Sequence, residues 1–304
     1  MRTILLTFFA TAIASSAYAQ EPDKVLIRVK YAFSHMHDIH NRENYYKETM
    51  VLIAGKKASV YLSYDKVLQD IQTKEVFEKQ TREQANVKTP TFSMPPKKRP
   101  TNSMEIFYFA DAHKFIIKEH LGAFYLWEEK VEKIDWNITS ETRIIENLNC
   151  KKATGYFRGR NWTVWFAEEL PFSSGPWKLV GLPGLIIEAY DEDSEVSFVF
   201  AGLEKIDENA KPLADEYKYV PRMGSSNALS DTKIQLPTDA HTFKATPEEI
   251  KELKDLQKKD PEKFFKTQME LLGLGGLQPV SKGKSSPVPF QMPVFNNPIE
   301  RSMP

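Results

Sequence analysis

Residues Gly175–Asp193 read GPWKLVGLPGLIIEAYDED, and the fold turns on whether this run is a ligand cradle or a joint feeding a strand. A phosphate-binding loop aims glycine amides at the anion and continues as Lys-Ser/Thr at the start of a helix. Here Gly184 is followed by Leu185-Ile186-Ile187-Glu188-Ala189-Tyr190, which is apolar and β-prone. Leu182-Pro183-Gly184-Leu185 suits a type II turn, with proline presetting φ at the second position and glycine accepting positive φ at the third. The stretch is therefore read as a rigid turn that launches an inner strand. Trp177, just upstream, is left to cap that strand or to sit on a concave face.

Outward from this joint, strand patterns dominate. Val25, Ile27, Val29, Tyr31 and Phe33 alternate with charged or small residues, the period of a half-buried strand. Glu48–Ser63 reads as a hairpin turning at Ala54-Gly55-Lys56-Lys57, and Gly155–Phe166 as another bending at Gly-Arg. Short strands follow around Ile106, Phe115, Ala123, Trp136, Thr142 and Phe198. This spacing predicts a mainly β fold: one curved antiparallel sheet, bowl or half-barrel like, rather than βα units. Val67–Gln84 is read as a helix. Residues 86–103, with Pro90, Pro95, Pro96, Pro100 and Lys97-Lys98-Arg99, read as a surface insertion.

Both ends differ from this middle. Met1-Arg2, an apolar run from Ile4 to Ile13 and Ala17-Tyr18-Ala19 give the three-part layout of a secretory leader over residues 1–19. The run is too short to span a bilayer, which takes about 20 apolar residues. A β-rich domain is expected over 20–240. Thr246-Pro247-Glu248-Glu249 and Asp260-Pro261-Glu262 are two helix starts, each a cap followed by proline and acids. They predict a helical hairpin over 241–273, and 274–304 reads as a disordered tail.

Composition limits the partners. Across 304 residues, 41 basic and 41 acidic side chains balance, so nothing draws the chain to nucleic acid or to an anionic surface. Cys150 is the lone cysteine, so no internal disulfide supports an exported fold. It reads as a small buried hydrophobe rather than a nucleophile.

The blocks Cys150-x-Lys152-Ala153, Arg158-Gly159-Arg160-x-Trp162-x-x-Trp165-Phe166, Gly175-Pro176-Trp177-Lys178 and Gly181-Leu182-Pro183-Gly184-Leu185-Ile186 resemble successive blocks of the GLPGLI family of exported Gram-negative proteins. The resemblance is strongest over 136–190. It implies a β-rich envelope protein, periplasmic or extracellular, with no firmly assigned activity and no cofactor. A weaker resemblance runs to the bowl-shaped N-terminal domain of a peptide-N-glycosidase of the second F type.

Candidate chemistry is sparse. Trp162, Trp165 and Trp177 beside Arg158 and Arg160 could form an aromatic platform for a glycan, a lipid-like ligand or an envelope protein; packing in a curved sheet is the alternative. Alternation puts Trp162 and Trp165 on opposite faces. His35, His37 and His40 form the richest metal-like cluster, but no distant ligand pair closes it, and solvated histidines are the plainer reading. Asp191, Glu192, Asp193 and Glu195 follow the strand carrying Glu188. They could supply a hydrolase with paired acids around Glu188 and Asp191 or bind calcium, though calcium loops space their ligands over a longer segment. A solvated acidic turn is the plainer reading. The expectation is a non-catalytic binding protein, with a hydrolase or a structural assembly protein as alternatives.

Overall fold

The computed structural model of the protein describes residues 21–87, 101–207, 229, 232–237, 242–273 and 295–301. The expected leader, and most of the expected insertion and tail, lie outside the described residues. The first elements are β1 (Asp23–Lys24), β2 (Ile27–His35), β3 (Tyr46–Ala54), β4 (Ala58–Ser63), α1 (Tyr64–Glu83), β5 (Glu105–Phe109), β6 (Lys114–Leu121) and β7 (Ala123–Lys130). Then come β8 (Asn137–Ile145), β9 (Leu148–Phe157), β10 (Arg160–Ala167), β11 (Leu185–Asp191) and β12 (Val196–Lys205). The chain continues as β13 (Lys233–Ile234), β14 (Thr242–Lys244), α2 (Pro247–Lys259) and α3 (Pro261–Leu271).

Twelve strands form one sheet in the order β14-β7-β6-β5-β4-β3-β2-β12-β11-β10-β9-β8, and β1 pairs with β13 apart from it. The mainly β expectation holds. The sheet is mixed rather than purely antiparallel, because β14 runs parallel to β7, and it does not close into a barrel, since β14 and β8 stand at opposite ends.

The alternation in β2 explains how the sheet carries two cores. Ile27, Val29, Tyr31 and Phe33 enter the larger core with Trp162, Phe166, Ile186 and Phe198. There the Tyr31 hydroxyl donates to the Ile186 carbonyl at 2.7 Å. Val51, Ile53, Val60 and Leu62 enter a second core, covered by Val67 and Ile71 of α1 and by Leu229 and Ile234. Strands β3 and β4 are covered on both faces, so they read as apolar runs rather than as alternation. Each large apolar side chain buried this way contributes roughly 1.5–3 kcal/mol.

The helix starts lie where the caps put them. Thr246 and Glu249 form a capping box with Pro247 in the first turn, and the Asp260 side chain accepts from Lys263 N. Ile250 and Phe264 pack on Leu121 and Tyr125 of the β6–β7 hairpin, and the Tyr125 hydroxyl donates to Gln268 Oε1 at 2.8 Å.

The joint differs from the type II turn expected of it. Positive φ occurs at Trp177 (55°) and Gly181 (94°), not at Gly184. Glycine stands at 184 for closeness instead: a Cβ there would collide with the carbonyl of Ala167. Likewise, a Cβ on Gly175 would stand 2.6 Å from Leu179 O and 2.8 Å from Ile186 Cβ. The strand launched at Leu185 is fully buried through Ile187. The motif is thus a backbone-on-backbone packing joint.

Candidate functional site

The β9–β10 hairpin turns through Arg158 (φ 52°) and Gly159 (φ 75°), with Phe157 paired to Arg160. Two central residues with positive φ match a type I′ turn, whose twist suits the flanking strands. This bend presents Arg158 and Arg160 at one end of the sheet. Residues 295–301 lie across it: Arg301 N donates to Arg158 O at 3.0 Å, and a Cβ on Gly159 would stand 2.5 Å from Arg301 Cβ. This part of the stretch expected as tail is therefore a docked strap.

Every N–H of the Arg160 guanidinium has a partner. Nη1 donates to Asp191 Oδ2 (2.5 Å) and Glu195 Oε2 (3.1 Å), Nη2 to Asn297 Oδ1 (2.9 Å) and Pro298 O (2.8 Å), and Nε to Ile299 O (2.9 Å). Asp191 also accepts from Val196 N, at 2.8 Å. Burial alone would raise the Glu195 carboxyl, but hydrogen bonds from Arg160 and Asn297 and the nearby Arg301 charge hold it below the usual range. A second cluster adjoins. Buried Lys178 donates to Glu129 (2.6 Å) and Glu300 (2.7 Å), and Arg158 bonds the same two carboxylates at 2.7 and 2.8 Å.

The motif core also matches a known family model. That model, described as "Protein of unknown function (Porph_ging)", matches residues 158–188, from the hairpin bend through the launched strand. No curated protein matches the chain. Two solved structures of PNGF-II are similar to it. The P21 form shows 14% identity and a TM-score of 0.47, covering 75% of this chain and 32% of that one. The C2 form shows 13% identity and a TM-score of 0.46, covering 74% and 32%. This chain thus spans about a third of the length of those proteins.

Within the matched segment the tryptophans are internal. Trp162, Trp165 and Trp177 are 1, 8 and 6% exposed. Trp162 and Trp177 have ring centroids 5.7 Å apart in the main core, and Phe157 adds to the cluster. Trp165 points to the other face, as alternation predicts, but the Arg143 guanidinium lies on its ring at 4.4 Å and pairs with Glu188. Arg158, Arg160, Trp162 and Trp177 gather at the bend end of the sheet as core and ion-pair groups rather than as an open platform. Trp165 lies farther along β10, beneath Arg143.

The remaining candidates fare similarly. His35 is buried, with its ring 4.6 Å from His37; both rings contact Phe295 of the strap, and His37 stacks on Tyr46 at 4.7 Å. His40 is exposed. Burial, then the His37 and Arg160 charges, lower the His35 imidazole to about 3, so it sits neutral in the core. Asp191, Asp193 and Glu195 offer oxygens within 4.8 Å of one another, but the two buried members already serve the arginines. Burial pushes the Cys150 thiol up to about 11, which keeps it protonated and unreactive.

Sequence reasoning missed Glu129, Asn297 and Glu300, and gave Lys178 no role. Lys178 stands in a quoted block, but its partner Glu300 is 122 positions away. No local pattern announces such a pair.

Proposed function

We propose that this is an exported, non-catalytic GLPGLI-type protein of a Gram-negative envelope that binds another protein through the outer edge of β8. One observation carries the reading. Strand β8 ends the twelve-stranded sheet, no described strand pairs with its outer side, and its Ile138 and Ile144 are 45 and 71% exposed. A row of unpaired N–H and C=O groups accepts a partner strand, whose side chains then meet the exposed ones. The opposite end differs, because three-residue β14 runs into the α2–α3 hairpin. A bulge between Ile138 and Thr142, together with Glu141 and Arg143, makes the β8 edge selective rather than generally adhesive.

The leader and the motif resemblance support export. The hydrolytic alternative has less support, since Glu188 is held by Arg143 and Asp191 by Arg160. A structural-assembly role uses the same edge and differs only in having a fixed neighbour as the partner. The test is recovery of envelope proteins from the native host on the mature chain, comparing wild type, Ile144→Lys and the control Val199→Lys. Partner recovery lost with Ile144→Lys alone supports the edge. Equal recovery by all three rejects it.

A further inference from the structure

On the second face of the sheet, β2, β3 and β12 leave a cavity of about 340 Å³ lined by Arg28, Lys30, Val51, Tyr64, Leu203 and Leu229, among others. Its floor is a local irregularity: the β12–β2 register shifts between Phe200 and Gly202, and a Cβ on Gly202 would meet no atom within 4 Å. The first residue of α1, Tyr64, forms one wall and Leu229 contributes to another. The size falls at the low end of small-ligand pockets.

The polar lining is unevenly satisfied. Arg28 is 8% exposed. Its Nη2 donates to Leu229 O at 2.9 Å and its Nη1 reaches Glu204 only at 3.4 Å, while its Nε–H is buried without a partner. A buried donor left without an acceptor is unfavourable, so a ligand acceptor there is favoured. Lys30, two residues along the same strand face, holds Nζ over the Tyr64 ring at 4.2 Å and has no carboxylate partner among the described residues. Glu204, the acid at the rim, has a side chain 62% exposed, so it can turn to solvent at little cost. Two cations thus face one loosely held carboxylate beside the apolar surfaces of Tyr64 and Leu229.

We infer that this cavity binds a small amphipathic carboxylate, with the acid group between Arg28 and Lys30 and the apolar body against Tyr64 and Leu229. The site is independent of the β8 edge and lies on different strands.

Octanoate is the probe, titrated calorimetrically into the mature full chain, with octan-1-ol and inorganic phosphate as separate arms. Saturable one-to-one binding of octanoate is expected, at least about tenfold tighter than octan-1-ol and than phosphate, each tenfold step being 1.4 kcal/mol. Lys30→Gln, at a half-buried position outside the main core, should keep the wild-type melting temperature and weaken octanoate at least about fivefold, by loss of a charged hydrogen bond. No saturation by about 10 mM, weaker than the millimolar range, would overturn the proposal. So would octan-1-ol binding equally well (an apolar cavity only), phosphate binding equally well (a simple anion site), or octanoate affinity unchanged in Lys30→Gln.

Discussion

Arg160 Nη1 lies 2.5 Å from Asp191 Oδ2, and both side chains are almost wholly buried. The pair joins the start of β10 to the end of β11, and the strap completes it through Asn297, Pro298 and Ile299. Removing one member leaves the other charge buried and unpaired, a loss of about 3–5 kcal/mol. Arg160→Met should therefore lower stability by that order in urea unfolding. Arg160→Met with Asp191→Asn should cost less than the two single changes added together.

The strap is a stabilising element. Asn297 Nδ2 donates to Met36 O at 2.8 Å and to Glu195 Oε2 at 3.0 Å, from a fully buried position. Asn297→Ala should cost about 1–3 kcal/mol, because buried acceptors lose their donor. Hydrogen exchange at Met36 and at the β9–β10 bend should quicken in the same variant.

His35 makes stability fall with acid. Its folded value near 3 lies below the usual histidine range. Between about 6.5 and 3 the unfolded chain takes up a proton that the folded chain refuses, so stability is complete above about 6.5 and is lost as pH drops, by up to about 1.4 kcal/mol per pH unit. His35→Gln should flatten the stability–pH curve below pH 6.5, about the unperturbed value. A parallel curve in the variant would show that other groups set the slope.

Gly184→Ala should destabilise by about 2 kcal/mol or more, since the added methyl meets backbone that cannot swing aside. The joint also shows where sequence reading succeeds. Proline and glycine before an apolar β-prone run located β11 correctly, and Thr246-Pro247 and Asp260-Pro261 located α2 and α3, because turn and cap chemistry is local. The reason for Gly184 was misread, because a clash with Ala167 depends on two strands meeting in space. The candidate site was half legible. Alternation placed Trp162 and Trp165 on opposite faces, but not the Arg143 guanidinium that covers Trp165. The strap was illegible for a similar reason: its partners His37, Arg158 and Glu195 lie more than 100 positions earlier, and no periodicity spans that gap.

Cys150 should be inert. Its thiol is fully buried and raised to about 11, so a disulfide reagent at pH 8 should react slowly with native protein and at once in urea. Equal rates would contradict the burial of Cys150 in β9.

Hydrogen exchange of β8 with and without the captured envelope protein tests the central functional claim most directly. The account predicts that amides within Asn137–Ile145 slow strongly on partner binding, while β14 at the other end is unchanged. Unaltered exchange in β8, with protection appearing on a different surface, would contradict it.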